Sequence, residues 1–397
     1  MTDVHTALTE VFREEAGRLT IALIHILGDF AVAEEIVQDA LVVALERWPV
    51  DGIPERPGAW LLTVARRRAL NQLSRDARYR TKLAQLEQPV PQEPDDRVRL
   101  LFTCCHPALS RAAQIALTLR AVSGFTTAQI AHAFLAEVPA VAQRIVRARR
   151  KIVAARIPYR MPTDEDMGER LSEVLAVLYL MFTEGYLASS GNAPTRRDLA
   201  EDAAWLTALV TRHMPGEPEP LGLLALMRLH LARSKARFTN TGELILLQDQ
   251  DRMLWDRPMI AEAIALIEQA AALGRPGPYQ VEAAIIACHA EAATWAATDW
   301  RQIVLLYDLL LQMKPSPVVR LNRAVALRQV VGPEGALAEV NALAVDLENY
   351  HLFHAIRGEL FLELSKHEQA RASTLRALEL THNPAEQGLL ARRVVEW

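Results

Sequence analysis

The sequence predicts an all-α protein of more than one domain, on three observations. Apolar residues recur at i, i+3, i+4 and i+7 along nearly the whole chain, alternating period-2 segments are missing, and alanine and leucine dominate. At 397 residues the chain exceeds what one hydrophobic core organises, so two or three domains are expected. With 51% hydrophobic and 23% charged residues it belongs with folded chains rather than disordered ones.

The elements follow in order. A helix over 6–27 stops at Gly28-Asp29, and a second over 31–48 is ended by Pro49. Pro49, Gly52, Pro54, Pro57 and Gly58 make a turn-rich stretch, after which a third helix runs from near Ala59 to about Lys82. These elements form a first domain, 1–82. Residues 83–96 carry Pro89, Pro91 and Pro94 among polar residues and read as a semi-extended linker. A second module of short helices spans 97–157. Pro158, Pro162 and the acidic residues Asp164, Glu165 and Asp166 suggest another linker over 158–170. The remainder is a succession of helices, read as an extension over 171–275 and a repeat-bearing part over 276–397. Small residues echo there at a step of 34: Ala290 with Ala324, Ala324 with Gly358, and Ala336 with Ala370. That is the period of a helix–turn–helix tetratricopeptide unit.

Charge is unevenly distributed. Residues 1–160 hold 22 Lys+Arg against 17 Asp+Glu, while the remainder holds 22 against 31, within a net charge of −4. A basic front half suggests a polyanion-binding module. The apolar run 171–180 is too short for a membrane span, and the first residues lack the basic-then-apolar pattern of a secretory signal. Three cysteines, two of them adjacent, make no disulfide framework, so a cytoplasmic protein with no membrane partner is expected.

Three segments carry functional chemistry. Over 124–152, Thr126 suits the N-cap of a short helix with Ile130, Ala131 and Phe134 on one stripe. Pro139 suits the first turn of the next helix, where Val141, Ile145 and Ala148 share a face. Gln143, Arg144, Arg147, Arg150 and Lys151 fall on the remaining surface, as a helix lying in a major groove requires. Over 57–75, Trp60, Leu61, Val64 and Ala65 mark a buried side, and Arg66, Arg67, Arg68 and Arg75 begin a basic run suited to a single nucleic-acid strand. Over 29–45, a helix rich in acid at its start carries one apolar stripe and suits a basic helical partner. Each segment also fits a plainer account: a solvated basic face for the first two, and acid placed by the helix dipole for the third.

In this order the three segments resemble the extracytoplasmic-function sigma factors of the sigma-70 family. The resemblance implies helical sigma region 2 and helix-turn-helix region 4, with core RNA polymerase (its β′ coiled coil and β flap) and promoter DNA as partners. It implies polymerase binding by Asp29, Glu34, Glu35, Gln38 and Asp39, and −10 recognition by Trp60, Arg66, Arg67, Arg68, Asn71 and Arg75. It implies −35 recognition by Thr127, Gln143, Arg144, Arg147, Arg150 and Lys151. Ala142 stands where a Lys is common, which removes one phosphate contact. The segments 96–109, 179–186, 221–227, 247–252 and 277–292 further resemble the subgroup with a tetratricopeptide-like extension, which implies regulation in cis and a peptide or protein ligand on the C-terminal repeats. A different class remains open: a helical DNA-binding scaffold or regulator that never touches polymerase.

Other chemistries find little support. Cys104-Cys105-His106 lacks zinc-knuckle spacing, so no metal and no cofactor is expected, and the cysteines are expected to pack. No Walker loop, Gly-x-Gly-x-x-Gly or defensible catalytic constellation occurs, so no enzyme activity is expected.

Overall fold

The structure, a computed structural model, describes residues 17, 19–24, 27, 30–73, 96–134, 136–186, 197–239 and 241–396. These residues form helices and connecting turns, with one isolated bridge between Phe238 and Leu244 and no strand among them. The expected all-α fold is therefore observed. The chain divides into two compact units, Met1–Met181 and Phe182–Trp397.

In the first unit, α1 spans Phe30–Asp51 and α2 spans Pro57–Leu73. Ala33, Ile36, Val37, Ala40, Ala44 and Trp48 form the buried stripe of α1, and the small alanines admit a close neighbour. The expected stop at Pro49 is not observed: α1 continues through it to Asp51. A proline in the last turn forfeits a single backbone bond, and Gly52, at φ +82°, closes the helix by donating to Trp48 O (3.1 Å). Helix α2 begins at Pro57, whose missing N–H is harmless at a helix start, and buries Leu61, Ala65 and Ala69. Of the helix expected over 6–27, the residues described are helical. The continuation of α2 beyond Leu73, and most of the linker 83–96, lie outside the described residues.

The next module comprises α3 (Asp96–Cys104), α4 (Arg111–Leu117), a π-helical turn (Thr118–Val122), α5 (Thr127–Ala133) and α6 (Val138–Ala154). Thr126 caps α5 reciprocally with Gln129, and Pro139 lies in the first turn of α6. Helix α7 (Asp164–Tyr186) starts within the segment 158–170, because Asp164, Glu165 and Asp166 fill its first turn and complement its dipole. Arg111 pairs with Glu173 (3.0 Å), and Arg170 donates to Phe102 O (2.6 Å), so the early turns of α7 are fastened to α3 and α4.

The second unit continues with α8 (Arg197–His213), α9 (Pro218–Leu231), α10 (Arg257–Ala272), α11 (Pro278–Glu291) and α12 (Trp300–Met313). Then come α13 (Pro317–Val331), α14 (Pro333–Asn341), α15 (His351–Glu363), α16 (His367–Leu380) and α17 (Pro384–Glu396). Helices α9 and α11 approach closely because Gly222 has no side chain: a Cβ there would lie 2.6 Å from Gln280 N. Gly358 plays the same part between α15 and α16, where a Cβ would meet Thr374 Oγ1 at 2.7 Å. One core layer gathers Leu321, Ala324, Ala336, Phe353, Leu360 and Ala370, which includes several of the small residues that echo at 34. No helix among the described residues is long and apolar enough to cross a membrane.

Candidate nucleic-acid interface

Helix α6 presents two faces. Val141, Ile145, Ala148 and Ile152 are buried at helical spacing, which leaves Gln143, Arg147, Arg150 and Lys151 exposed and Arg144 half-buried. Arg147 donates to Gln143 Oε1 (2.9 Å), while Arg144, Arg150 and Lys151 make no hydrogen bond or ion pair with the described residues. A groove of about 410 Å³ is lined by Arg144, Arg147 and Lys151 together with Ser110, Ala113 and Ala140. Unpaired cations flanking an open groove suit an anionic backbone, and arginine and glutamine heads reach base edges. Thr127 is the first residue of α5 and half-buried.

On α2, Trp60 is half-buried rather than fully packed, with its ring edge-on to Trp48 (5.6 Å, 62°). Arg67 is exposed, Arg66 has a buried Nε without a hydrogen-bond partner, and Arg68 donates to Asp39 Oδ2 of α1 (2.7 Å). Asn71 lies in α2, with its side chain outside the described residues, as are Arg75 and Asp29.

The acidic residues of α1 divide three ways. Glu35 is exposed, Asp39 is tied to Arg68, and Glu34 is only 1% exposed. Glu34 pairs with Arg149 of α6, has Arg120 of the π-helical turn at 3.8 Å, and accepts a hydrogen bond from Gln38 Nε2 (3.0 Å). Burial lowers both arginines to about 10, so each stays charged at neutral pH. Glu34 is therefore an internal bridge joining α1 to α6, in a position where sequence reasoning expected a surface. Arg120 and Arg149 were not singled out in the sequence. The signal available was that Arg149 lies four residues after Ile145, at the edge of the apolar face.

The cysteines expected to pack are buried, and Cys105 lies 3.5 Å from Thr118 Oγ1. Burial pushes Cys105 up to about 12, with the neighbouring Thr118 hydroxyl opposing, so the thiol stays protonated and unreactive.

Two family models match this part of the chain: Sigma-70 region 2 over residues 11–79, and Sigma-70, region 4 over 99–152. ECF RNA polymerase sigma factor SigL of Mycobacterium tuberculosis is 33% identical over 129 residues, covering 30% of this chain and 72% of SigL. The chain belongs to the ECF sigma factors. Helices α1 and α2 lie in its region 2, and α3 to α6 lie in or overlap its region 4, whose last two helices are the helix-turn-helix. Residues 170–271 match a family of unknown function, DUF6596. Similarity to the uncharacterized protein R00370 of Rhizobium meliloti (strain 1021) extends through both units, at 43% identity over 379 residues, 92% of this chain and 90% of that protein. No solved structure matches.

Proposed function

We propose that this ECF sigma factor directs core RNA polymerase to specific promoters in the cytoplasm and starts transcription there, catalysis belonging to the polymerase. The observation that carries the reading is the row of unpaired cations on α6 beside its groove, on a helix matched by region 4. Gln143, Arg144, Arg147, Arg150 and Lys151, with Thr127 at the start of α5, contact the −35 duplex. Trp60, Arg66, Arg67, Arg68, Asn71 and Arg75 hold the −10 strand. The β′ coiled coil docks on α1 around Glu35, Gln38 and Asp39, and the β flap meets region 4.

The region beyond α7 regulates initiation in cis and is built as a tetratricopeptide-like array able to take a peptide or protein. Support comes from the pairs α13–α14 and α15–α16, whose members start 34 residues apart, at Pro317 and His351 and again at Pro333 and His367.

One observation favours a second reading, a DNA-binding regulator that does not touch polymerase: Glu34 and Asp39 are both paired within the chain. In vitro transcription with core polymerase on the promoter of the protein's own operon separates the two. Specific initiation that depends on the added chain supports the sigma factor. DNA binding without initiation, and without capture of core polymerase, supports the regulator. Greater activity after truncation at Thr163 supports an inhibitory extension, lower activity supports an activating one, and unchanged activity removes regulation in cis.

A further inference from the structure

Promoter recognition leaves four of the sequence segments without a role: 179–186, 221–227, 247–252 and 277–292. Residues of three of them meet in the second unit. Tyr186 stacks on Phe182 (5.6 Å, 13°), and Arg237 lies over the Tyr186 ring at 3.7 Å while donating to its carbonyl oxygen (2.6 Å). Arg233 donates to Tyr186 Oη (3.4 Å) and lies 3.1 Å from His230 Nδ1. Arg252 stacks over Trp255 (4.5 Å) and donates to the carbonyl oxygens of His289 (2.5 Å) and Ala292 (2.7 Å).

Three guanidinium groups thus share one neighbourhood, and none has an ion-pair partner among the described residues. Arg233 and Arg237 are only 6% and 7% exposed. The carboxylate whose charge reaches Arg237, Glu386, is already engaged by His351 (3.0 Å) and by the Thr381 hydroxyl (2.6 Å). Arg233 Nε, Arg252 Nη2 and His289 Nδ1 are buried without hydrogen-bond partners. A buried cation lacking a counter-charge is destabilising, and like charges nearby add to that. The histidines register the same field. His230 is held well below its ordinary value by burial and then by Arg233 and Arg237, and His289 is lowered to about 4 by burial and then by Arg233 and Arg252. Among the described residues the shared Glu386 leaves most of this positive charge uncompensated.

Room for it lies against Arg237. A cavity of about 110 Å³ is lined by the polar Arg237, Lys235 and Ser234 and by the apolar Leu231, Ala200 and Phe238. The Arg237 guanidinium makes no hydrogen bond with the described residues beyond the one to Tyr186, which leaves N–H groups for a ligand. We infer that this cavity binds a small monocarboxylate, with its headgroup on Arg237, Lys235 and Ser234 and its short apolar body against Leu231, Ala200 and Phe238. A planar carboxylate matches the guanidinium fork, whereas the apolar wall offers nothing to the additional oxygens of a phosphate.

The test is the melting temperature of the full chain at fixed ionic strength with butyrate, butyramide or inorganic phosphate, repeated on R237M and K235A. Lys235 is exposed, so K235A keeps the fold even where R237M does not. Butyrate is expected to raise the melting temperature saturably, while butyramide and phosphate do not. K235A should need about tenfold more butyrate, the loss of one charge-assisted hydrogen bond, and R237M should abolish the shift. Equal effects of butyrate and butyramide, an unaltered butyrate response in K235A, or a preference for phosphate would overturn the assignment.

Discussion

Glu34 carries more of the first unit's organisation than its place in an acidic run suggests. Its carboxylate is held by Arg149, Gln38 and the nearby Arg120, so removing it strands buried cations. Glu34→Ala is expected to lower unfolding free energy by about 3–5 kcal/mol, measured by urea titration; a loss below about 1 kcal/mol, the scale of an exposed pair, would contradict the bridge. His289 gives a pH signature in the second unit, where burial and then Arg233 and Arg252 lower it and Trp295 and Trp300 pack around it. It titrates at about 4 when folded and near 6.5 when unfolded, so the unfolded chain binds the extra proton between those values. Its contribution is complete above pH 6.5 and lost as pH falls towards 4, up to about 3 kcal/mol. Melting temperatures across that window should fall less steeply in His289→Gln. On α6, Arg144→Ala should weaken −35 binding by about 1–3 kcal/mol if the guanidinium reads a base. Lys151→Ala should instead lower the slope of log affinity against log salt by about 0.9, the signature of one phosphate contact. Side chains such as Gln143 and Arg150 were legible in the sequence because helical periodicity assigns them a face. Glu34 was not, because its partners Arg149 and Arg120 lie far along the chain and no local pattern announces them.

At the level of elements, what the sequence disclosed was what local chemistry controls. Thr126 and Gln129 make a capping box within four residues, and Pro139 suits a first turn wherever the helix goes, so the starts of α5 and α6 were readable. Pro49 misled because its effect depends on its distance from the helix end: one bond is lost in a last turn, against a broken helix further in. The echo at 34 was visible as small residues, and the structure supplies the reason for one of them, since Gly358 lets α15 and α16 touch. Gly222 had no such signal, because what demands it is the backbone of Gln280, in another helix. Gly222→Ala puts a methyl 2.6 Å from Gln280 N and 2.9 Å from its Cα, where no side-chain rotation can relieve it. The expected cost is about 1–3 kcal/mol, read as a lower denaturation midpoint. Gly216→Ala, where nothing lies within 4 Å, is the control and should change little. Equal effects at the two glycines would mean that α9 and α11 do not pack as closely as described.

For the molecule as a sigma factor, the Glu34–Arg149 bridge poses a geometric conflict. Promoter elements at −10 and −35 are about 25 base pairs apart, or about 85 Å at 3.4 Å per pair. The chain between Leu73 and Asp96 reaches at most about 80 Å when fully extended. Occupying both elements at once, as proposed, would set regions 2 and 4 apart along the duplex, whereas here α1 and α6 are in direct contact. On that proposed reading promoter engagement separates them, and the work of separation includes breaking a buried ion pair, whose loss leaves both charges to be resolvated. The contact would then oppose promoter binding until polymerase and DNA contribute compensating interactions. Glu34→Gln retains the shape while removing the charge attraction and one of the two acceptor oxygens that face Gln38 and Arg149, so it should populate the separated form in the free protein. Energy transfer between dyes at the exposed positions Val50 in α1 and Val153 in α6 measures this directly. Transfer should be efficient in the free protein, weaker in Glu34→Gln, and lost on adding core polymerase with promoter DNA. Restoring the pair in reverse, with Glu34→Arg and Arg149→Glu together, should bring the free protein back towards efficient transfer. Efficient transfer that persists in an actively transcribing complex would show that regions 2 and 4 work without parting, and that the two elements are not read by α2 and α6 at once.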